Sequence, residues 1–357
     1  MKILALMPDA YRGFGGIAQY NRDLLDVLLG AERVERIVSL TRHYPDPDSG
    51  LAPSPAKLEQ HFLAGKSMRY LIATLVYGLK VRPDVILCGH INLLPVAVLL
   101  KKLTGAPLIL EAYGIEAWQR GRGVRSWGIG QVDLVIAISR FTREQLMRWS
   151  GLEPHRIKIV PNAVRLSAYS SSEKPGYLVE RYGLEGKLVL LTVGRLPGHE
   201  RYKGQDRIIT LMPALIAQFP DLVYLIVGDG RDRRRLEAMV EKMGLEEHVL
   251  FAGRIREDEK IDHYNLADAF AMPSMSEGFG FVFLEAAACG LPVLGGSRDG
   301  SRDALVDGRL GVMVDPESPD ELLEGLETIL TREKRVPECL KPFDFPRFKR
   351  QIEELVA

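Results

Sequence analysis

Short apolar runs alternate with longer helical patterns along most of this sequence. The runs are three to six residues long, rich in Val, Ile and Leu, and bounded by turn residues. Such runs are typical of strands that are buried on both faces of a parallel sheet. Parallel strands are joined by crossover connections of a dozen or more residues, which are usually helices. The alternation therefore predicts an α/β fold with doubly wound parallel sheets.

The predicted strands fall into two groups. The first group comprises Lys2–Met7, Arg36–Leu40, Asp84–Cys88, Pro107–Leu110, Asp133–Ile138 and Ile157–Val160. The second group comprises Leu188–Val193, Val223–Val227, Val249–Phe251, Ala269–Met272, Pro292–Leu294 and Val312–Val314. Between the groups, three consecutive serines and a Pro-Gly pair interrupt the pattern. The chain of 357 residues is also longer than one ordinary α/β core requires.

We therefore predict two Rossmann-like domains. The first domain spans residues 1–165, a linker spans 166–185, and the second domain spans 186–342. Residues 343–357 show an amphipathic helical pattern with Pro346 near its start. We expect this last helix to cross back to the first domain.

The two halves carry opposite net charges, although the whole chain is neutral. Residues 1–165 contain 22 Lys and Arg against 14 Asp and Glu, and the remainder contains 25 against 33. No acidic residue occurs between Glu59 and Asp84 or between Asp84 and Glu111. A basic first half indicates an anionic partner. The neutral total and the lack of a basic-aromatic recognition module argue against nucleic acid.

Two cations follow the first strand of the second group. Leu188–Val193 leads into Gly194 and Arg195, and the polar loop then reaches Lys203. Ligands of doubly wound sheets bind beyond the carboxyl ends of the strands. Arg grips phosphate oxygens through its planar fork and Lys adds a point charge, so this loop suits a diphosphate. An ordinary solvated loop is the alternative interpretation.

A glycine turn, Gly228-Asp229-Gly230, follows the next strand. It matches part of the dinucleotide fingerprint, but the complete G-x-G-x-x-G is absent, so NAD binding is disfavoured. A plain strand-to-helix turn explains the same residues as well as a ligand contact does.

A glycine-rich loop opens a helix after Ala269–Met272. It contains Glu277, Gly278 and Gly280, and the free N–H groups at the positive end of a helix favour phosphate or sugar oxygens. Further along, Glu285 lies in an apolar stretch. A buried carboxylate needs hydrogen-bond donors, and the vicinal hydroxyls of a sugar are suitable. The alternative is that both glutamates are structural, with Glu285 facing an edge of the helix.

These motifs resemble those of the retaining family-4 glycosyltransferases of the GT-B fold. The closest matches are Val193-Gly194-Arg195-Leu196 with Lys203-Gly204, Val227-Gly228-Asp229-Gly230, Phe251-Ala252-Gly253, and Glu277-Gly278-Phe279-Gly280 leading to Glu285. Looser matches in the first half are Gly15-Gly16-Ile17, Ser139-Arg140-Phe141-Thr142 and Val160-Pro161-Asn162-Ala163-Val164. The resemblance is strongest over residues 188–316. It implies two domains that face each other across a cleft, with the donor held by the second.

The resemblance also implies a role for each matching residue. Arg195 and Lys203 would hold the donor diphosphate, and Glu277 with the amides of Phe279 and Gly280 would hold the donor sugar. The ribose would bind Glu285. Gly253 and Arg254 would border the base. Further contacts with the nucleotide sugar would come from Gly15, Gly16, Gly194, Gly228 and Gly278.

Members of this family usually retain the anomeric configuration without a protein nucleophile and without metal. Arg195 and Lys203 would supply the positive charge, and no cluster of His or acidic residues has metal-ligand spacing, so we expect neither a metal nor a cofactor besides the donor. The triplet Asp46-Pro47-Asp48 has the Asp-x-Asp form of metal-using transferases, but its Pro-rich setting favours a turn.

One position departs from the family. Many members have His before a Gly-x-Glu triplet, where this chain has Tyr113-Gly114-Ile115-Glu116. Tyr113 could donate a hydrogen bond near the reacting sugar, and His90 could supply an imidazole from a neighbouring strand end. A purely structural role for His90 is the alternative.

The expected function is transfer of a hexose from a nucleotide sugar in bacterial glycan synthesis, with GDP-mannose favoured over UDP-glucose-type donors. The acceptor would be a saccharide or a polyprenyl-diphosphate-linked or other lipid-linked molecule. The alternatives are a non-catalytic sugar-nucleotide-binding protein and a sugar-nucleotide epimerase of the same fold; an NAD oxidoreductase is remote.

The expected location is the cytoplasm, since the first residues form a strand pattern and not a signal peptide. Contact with the inner face of the plasma membrane is also expected, because Ser67–Lys80 and Leu93–Leu103 combine apolar residues with flanking cations. Ordinary core helices would show the same pattern.

Overall fold

The chain forms two parallel sheets, each in its own compact unit. The computed structural model describes residues 1–11, 13, 15–42, 56–63, 67–120, 124–198 and 201–355. One unit comprises Met1–Asn162 together with Pro346–Ala357, and the other comprises Ala163–Phe345. The stretch predicted as a linker, 166–185, carries a helix and is part of the second unit.

Seven parallel strands form the sheet of the first unit. They are β1 (Lys2–Met7), β2 (Arg36–Thr41), β3 (Leu58–Phe62), β4 (Val85–Cys88), β5 (Leu108–Ala112), β6 (Leu134–Ala137) and β7 (Ile157–Ile159). Their order across the sheet is β3-β2-β1-β4-β5-β6-β7. The helices between them are α1 (Gly16–Gly30), α2 (Ser67–Val81), α3 (Leu94–Thr104), α4 (Ile115–Trp118), α5 (Val124–Ile129) and α6 (Arg140–Ser150).

The edge strand β3 is the one strand that the sequence pattern did not predict. Its sequence, Leu-Glu-Gln-His-Phe, is mostly polar, and Leu58 alone is buried. It pairs with β2 through its backbone, and Glu59 forms an ion pair with Arg36 of that strand. An edge strand needs only one hydrogen-bonded neighbour and tolerates charged side chains, so its apolar signal is weak.

Six parallel strands form the sheet of the second unit. They are β8 (Leu188–Val193), β9 (Leu222–Val227), β10 (Val249–Gly253), β11 (Ala269–Met272), β12 (Val293–Gly296) and β13 (Val312–Val314), in the order β10-β9-β8-β11-β12-β13. The helices are α7 (Gly176–Tyr182), α8 (Gln205–Gln218), α9 (Arg233–Met243), α10 (Lys260–Leu266), α11 (Phe281–Ala288), α12 (Ser301–Ala304) and α13 (Pro319–Leu330). Both sheets are therefore doubly wound, as predicted.

The last helix, α14 (Phe345–Leu355), packs in the first unit. The ring of Phe348 lies edge-on to that of Tyr20 on α1, with 5.4 Å between the ring centroids. Ile352 is also buried, and with Leu24 and Leu28 it lines a small apolar cavity under β1. The apolar face of this amphipathic helix thus completes the first core.

Candidate functional site

The strand order of the second sheet reverses between β8 and β11. Strands β8, β9 and β10 run outward in one direction, and β11, β12 and β13 run in the other. Loops that leave the carboxyl ends of the two central strands separate at such a switch point and leave a crevice for a ligand. The loop after β8 carries Arg195 and Lys203, and the loop after β11 carries Glu277. The fold therefore brings together the residues that the sequence singled out.

Lys203 and Glu277 form an ion pair at this switch point. The Lys203 Nζ atom donates to Glu277 Oε2 over 2.8 Å, and both side chains are mostly buried. Lys203 also lies against Gly194, where an added Cβ would be 3.6 Å from Nζ. The neighbouring Arg195 is exposed and has no hydrogen-bond or ion-pair partner among the described residues. One guanidinium and one paired ammonium thus flank the start of the crevice.

Asp299 anchors the Glu277 loop, although no sequence motif predicted it. Its Oδ2 accepts hydrogen bonds from the Ser274 hydroxyl at 2.8 Å and the Glu277 N–H at 2.6 Å, while Oδ1 accepts from the Ser301 N–H at 2.9 Å. Burial raises the pKa of Asp299 to about 6, although these hydrogen bonds by themselves would lower it. The strand-end rule could have identified it, because it follows β12, the neighbour of β11, by three residues.

Helix α11 begins with an uncapped turn. Its first flanking residue, Gly280, has φ +81°, and no side chain accepts a hydrogen bond from the first turn. An added Cβ at Gly280 would lie 2.6 Å from the Phe283 ring. The ring of Phe279 is buried near that of Phe343, so only the backbone of Phe279 can meet a ligand. Unused N–H groups at a helix start favour anions and sugar oxygens.

Glu285 has protein partners on both of its carboxylate oxygens. Oε1 accepts from the Tyr169 hydroxyl at 2.7 Å and pairs with Lys260 Nζ at 2.8 Å, and Oε2 accepts from the Tyr264 hydroxyl at 2.7 Å. Burial alone would lower the pKa of Lys260, but the charges of Glu285 and Glu257 outweigh it and raise that pKa. The carboxylate predicted to need a partner is thus anchored on both oxygens, with one lone pair of Oε2 left for a ligand.

The glycine turn after β9 lets two loops touch. Gly228 has φ +130°, and an added Cβ would be 1.9 Å from the carbonyl oxygen of Gly194. Its N–H donates to the Gly253 carbonyl over 2.7 Å. These contacts give Gly228 and Gly253 structural roles, and Arg254 follows them with an exposed side chain. Their contact with a nucleotide sugar stays a prediction.

In the first unit the strand order reverses between β1 and β4, and three predicted residues follow these strands. Gly15, with φ +90°, precedes α1, and Gly16 is the first residue of that helix. His90 follows β4, and its Nδ1 accepts a hydrogen bond from the Asn92 N–H over 3.0 Å. His90 therefore caps a short 3₁₀ turn, which fixes the orientation of its imidazole. Its role toward a substrate stays a prediction.

Tyr113 lies inside the first unit. Its hydroxyl hydrogen-bonds to Asn21 Oδ1 at 2.6 Å and to the carboxyl of Glu111, which is fully buried. Burial raises the pKa of Glu111 to about 7, although the hydrogen bond from Tyr113 by itself would lower it. Because the one hydroxyl proton is used within the core, this geometry weighs against donation from Tyr113 to a sugar. Glu111 is not identifiable from the sequence, because its position within β5 carries no motif.

A cavity of about 220 Å³ lies near the carboxyl end of β2. Its lining is mostly apolar and is formed by Arg42, Tyr70, Leu71, Asn92, Leu93, Pro95 and Val96.

Among the described residues, no group of three or more His, Cys, Asp or Glu side chains is arranged to hold a metal ion. Asp46-Pro47-Asp48 lies outside them. None of the helices within the described ranges has the length and apolar character needed to span a bilayer.

Two protein families match the two halves of the chain. Residues 14–168 match Glycosyltransferase Family 4, and residues 179–340 match Glycosyl transferases group 1. The matched residues include the switch point of the second sheet and the Glu277–Glu285 motif. The chain belongs to the family-4 glycosyltransferases of the GT-B fold.

Similar proteins of known sequence include a GDP-mannose-dependent alpha-(1-6)-phosphatidylinositol monomannoside mannosyltransferase of Mycolicibacterium smegmatis. It is 32% identical over 211 residues, which cover 57% of this chain and 54% of that protein. A D-inositol 3-phosphate glycosyltransferase of Rhodococcus jostii is 29% identical over 58% of this chain and 47% of its own length. The chain spans about half the length of the curated relatives it matches.

Similar solved structures cover nearly the whole chain. The Anabaena protein HepE, in complex with UDP-glucose, aligns with a TM-score of 0.79 and 20% identity over 100% of this chain and 99% of its own. Sucrose-phosphate synthase of Thermosynechococcus elongatus aligns with a TM-score of 0.81 and 21% identity over 99% and 98%. These likenesses establish the fold.

Proposed function

We propose that this chain is a retaining glycosyltransferase that moves a hexose from a nucleotide sugar to a saccharide or lipid-linked acceptor. The observation that carries the proposal is the Lys203–Glu277 pair at the switch point of the second sheet, beside exposed Arg195 and the uncapped start of α11. The two cations, Arg195 and Lys203, suit a diphosphate. The Glu277 carboxylate beside unused N–H groups suits sugar hydroxyls.

Lys203 keeps a donor for the diphosphate. Its ammonium has three N–H donors, of which Glu277 takes one and the Met272 sulfur a weak second at 3.7 Å. The third and the guanidinium of Arg195 are left to bind phosphate oxygens. Their fixed positive charge would stabilise the negative charge that develops on the departing diphosphate.

In the proposed reaction, the bond between the sugar C1 and the diphosphate oxygen breaks while the acceptor oxygen bonds to C1 from the same face. The acceptor proton passes to the departing diphosphate oxygen, so the products are the glycoside and a nucleoside diphosphate. Glu277 would orient the sugar hydroxyls during this exchange, and Glu285 would bind the ribose through its remaining lone pair.

GDP-mannose is the favoured donor. The support is the GDP-mannose-dependent mannosyltransferase at 32% identity, whereas the structure that holds UDP-glucose is 20% identical. The acceptor would bind the first unit, whose cavity beside Arg42 has the mixed apolar and cationic lining that a lipid-linked saccharide needs. We place the reaction in the cytoplasm, where nucleotide sugars are the donor pool.

The test is calorimetric binding of GDP-mannose, UDP-glucose, an ADP-sugar and a dTDP-sugar without metal, with NAD as the negative control. Lys203→Met should weaken binding of the preferred donor by at least about tenfold, because a charge-assisted hydrogen bond is lost. Lys187→Met is the matched control, since Lys187 pairs with Asp221 at the opposite end of β8. Binding of NAD alone, or equal loss in both variants, would contradict the proposal.

Activity is then measured with the preferred donor, with and without a chelator. Release of the nucleoside diphosphate in both conditions is expected, and the anomeric configuration of the product is read by NMR. Tight donor binding with neither hydrolysis nor transfer would favour a non-catalytic binder instead. An inverted product would remove the retaining part of the proposal alone.

A further inference from the structure

Three helices of the first unit cover the same face of its sheet. Helices α2, α3 and α5 contribute Tyr70, Leu100 and Ile129 to one core cluster with the strands. Gly78 of α2 is packed so closely against Leu100 that an added Cβ would lie 2.3 Å from the leucine side chain. A Cβ added to Gly128 of α5 would lie 3.2 Å from the side chain of Leu94. The outer sides of the three helices therefore form one continuous surface.

That surface is apolar. Of ten exposed large apolar side chains among the described residues, seven lie on these helices, which together make up 32 residues. Four of them form a stripe along α2, with exposed fractions from 52% to 64%: Met68, Ile72, Val76 and Leu79. The others are Leu99, Leu103 and Trp127. A soluble monomer rarely exposes so many neighbouring apolar side chains, so this outer face of α2, α3 and α5 is a candidate docking surface.

The three helices carry positively charged side chains and no negatively charged ones. No acidic residue occurs in the sequences of α2, α3 or α5. Arg69, Lys80 and Lys102 are exposed, and none has an ion-pair partner among the described residues. Lys102 Nζ lies 4.5 Å from the centroid of the Trp127 ring. By contrast, Lys101 is neutralised by Asp133 at 2.6 Å.

We propose that the outer face of α2, α3 and α5 docks on the surface of an anionic lipid bilayer. The apolar stripe would enter the boundary between headgroups and acyl chains, while the cations at its margin would reach the lipid phosphates. Trp127 has the amphipathic ring that is enriched at such interfaces. A second copy of the chain fits less well, because a symmetric contact would place like charges together with no acidic group to pair them.

The experiment is flotation of the full chain with vesicles of phosphatidylcholine alone, or of phosphatidylcholine with 30% phosphatidylglycerol. We expect binding to the anionic vesicles, loss of most of that binding in 0.5 M NaCl, and little binding to the neutral vesicles. No donor or acceptor is present, so the result is independent of the proposed transfer reaction.

Two variants test which surface binds. Ile72→Gln with Val76→Gln should lower vesicle affinity about ten- to thirtyfold, since two exposed aliphatic side chains no longer enter the lipid. Arg69→Gln with Lys80→Gln should lower it about tenfold on anionic vesicles only. Gln is a good helix former, so α2 should persist, which circular dichroism checks.

The controls are Tyr177→Gln with Val336→Gln, two exposed apolar side chains of the second unit, and Lys242→Gln, an exposed cation on α9. They should leave vesicle binding unchanged. Absence of binding to anionic vesicles, or equal loss in the control and α2 variants, would overturn the proposal. So would a dimer in sedimentation that Ile72→Gln with Val76→Gln dissociates, because the face would then join two copies.

Discussion

Glu285→Gln separates the structural from the ligand-binding role of the second glutamate in the family motif. The substitution keeps the shape of the side chain and one acceptor oxygen but removes the negative charge. Lys260, whose side chain is 15% exposed, then loses its closest buried partner, and one of the two tyrosine hydroxyls meets an amide N–H group. The substitution should therefore lower both the free energy of unfolding and the affinity for the ribose diol.

The magnitude of each effect follows from these contacts. Breaking a buried ion pair by removing one partner costs about 3 kcal/mol of the free energy of unfolding. A hydrogen bond to a charged acceptor contributes about 1.5–3 kcal/mol, so loss of the ribose contact should weaken donor binding by about ten- to a hundredfold.

Lys260→Met is the matched control. It breaks the same ion pair and should cost a similar amount of stability, but it leaves the carboxylate in place, so donor affinity should change less than about threefold. The double variant should be no less stable than either single one, because both remove the same interaction. All three tryptophans lie in the first unit, so unfolding of the second unit is followed by far-UV circular dichroism in urea.

Donor affinity is measured by calorimetry at a temperature where every variant is folded. If Glu285→Gln and Lys260→Met weaken donor binding equally, the carboxylate acts only by holding the fold. If neither variant is destabilised, the buried pair does not carry the energy that its geometry indicates. Either result would refute the reasoning.

Other contacts make predictions of the same kind. Because burial raises the pKa of Glu111 to about 7, its ionised form destabilises the fold at high pH; Glu111→Gln should add about 3 kcal/mol to the free energy of unfolding at pH 8 and almost nothing at pH 4, as measured by tryptophan fluorescence in urea. A gain at both pH values would contradict this. Asp299→Asn places an amide N–H group against a backbone N–H group, so it should lower the free energy of unfolding by about 2 kcal/mol and weaken binding of the nucleotide sugar. Unchanged affinity for the nucleotide sugar would mean that the Glu277 loop does not need this support. Gly228→Ala should cost more than about 3 kcal/mol because of its contact with Gly194, against about 1 kcal/mol for Gly105→Ala, whose added Cβ meets nothing within 4 Å; equal thermal shifts would refute it.

The family motif and the cationic loop could be predicted from the sequence because each lies next to a strong local signal. Buried parallel strands are continuous apolar runs, so the bounds predicted for Lys2–Met7 and Leu188–Val193 match the structure. The residues after such strands, including Arg195 and Glu277, are thereby placed at carboxyl ends. Strand β3 escaped prediction because an edge strand needs little apolar sequence.

The sequence by itself determined two doubly wound sheets, the two loops that carry charge, and the glycine turns between them, since all of these depend on local pattern. Only the tertiary structure decided which strand ends are neighbours, and hence that Lys203 meets Glu277. It also decided that Glu285 is anchored by Lys260 and that Tyr113 points into the core. Those contacts join residues from different strands and helices. The distance between such residues depends on how the elements pack, and the spacing of residues along the chain does not predict it.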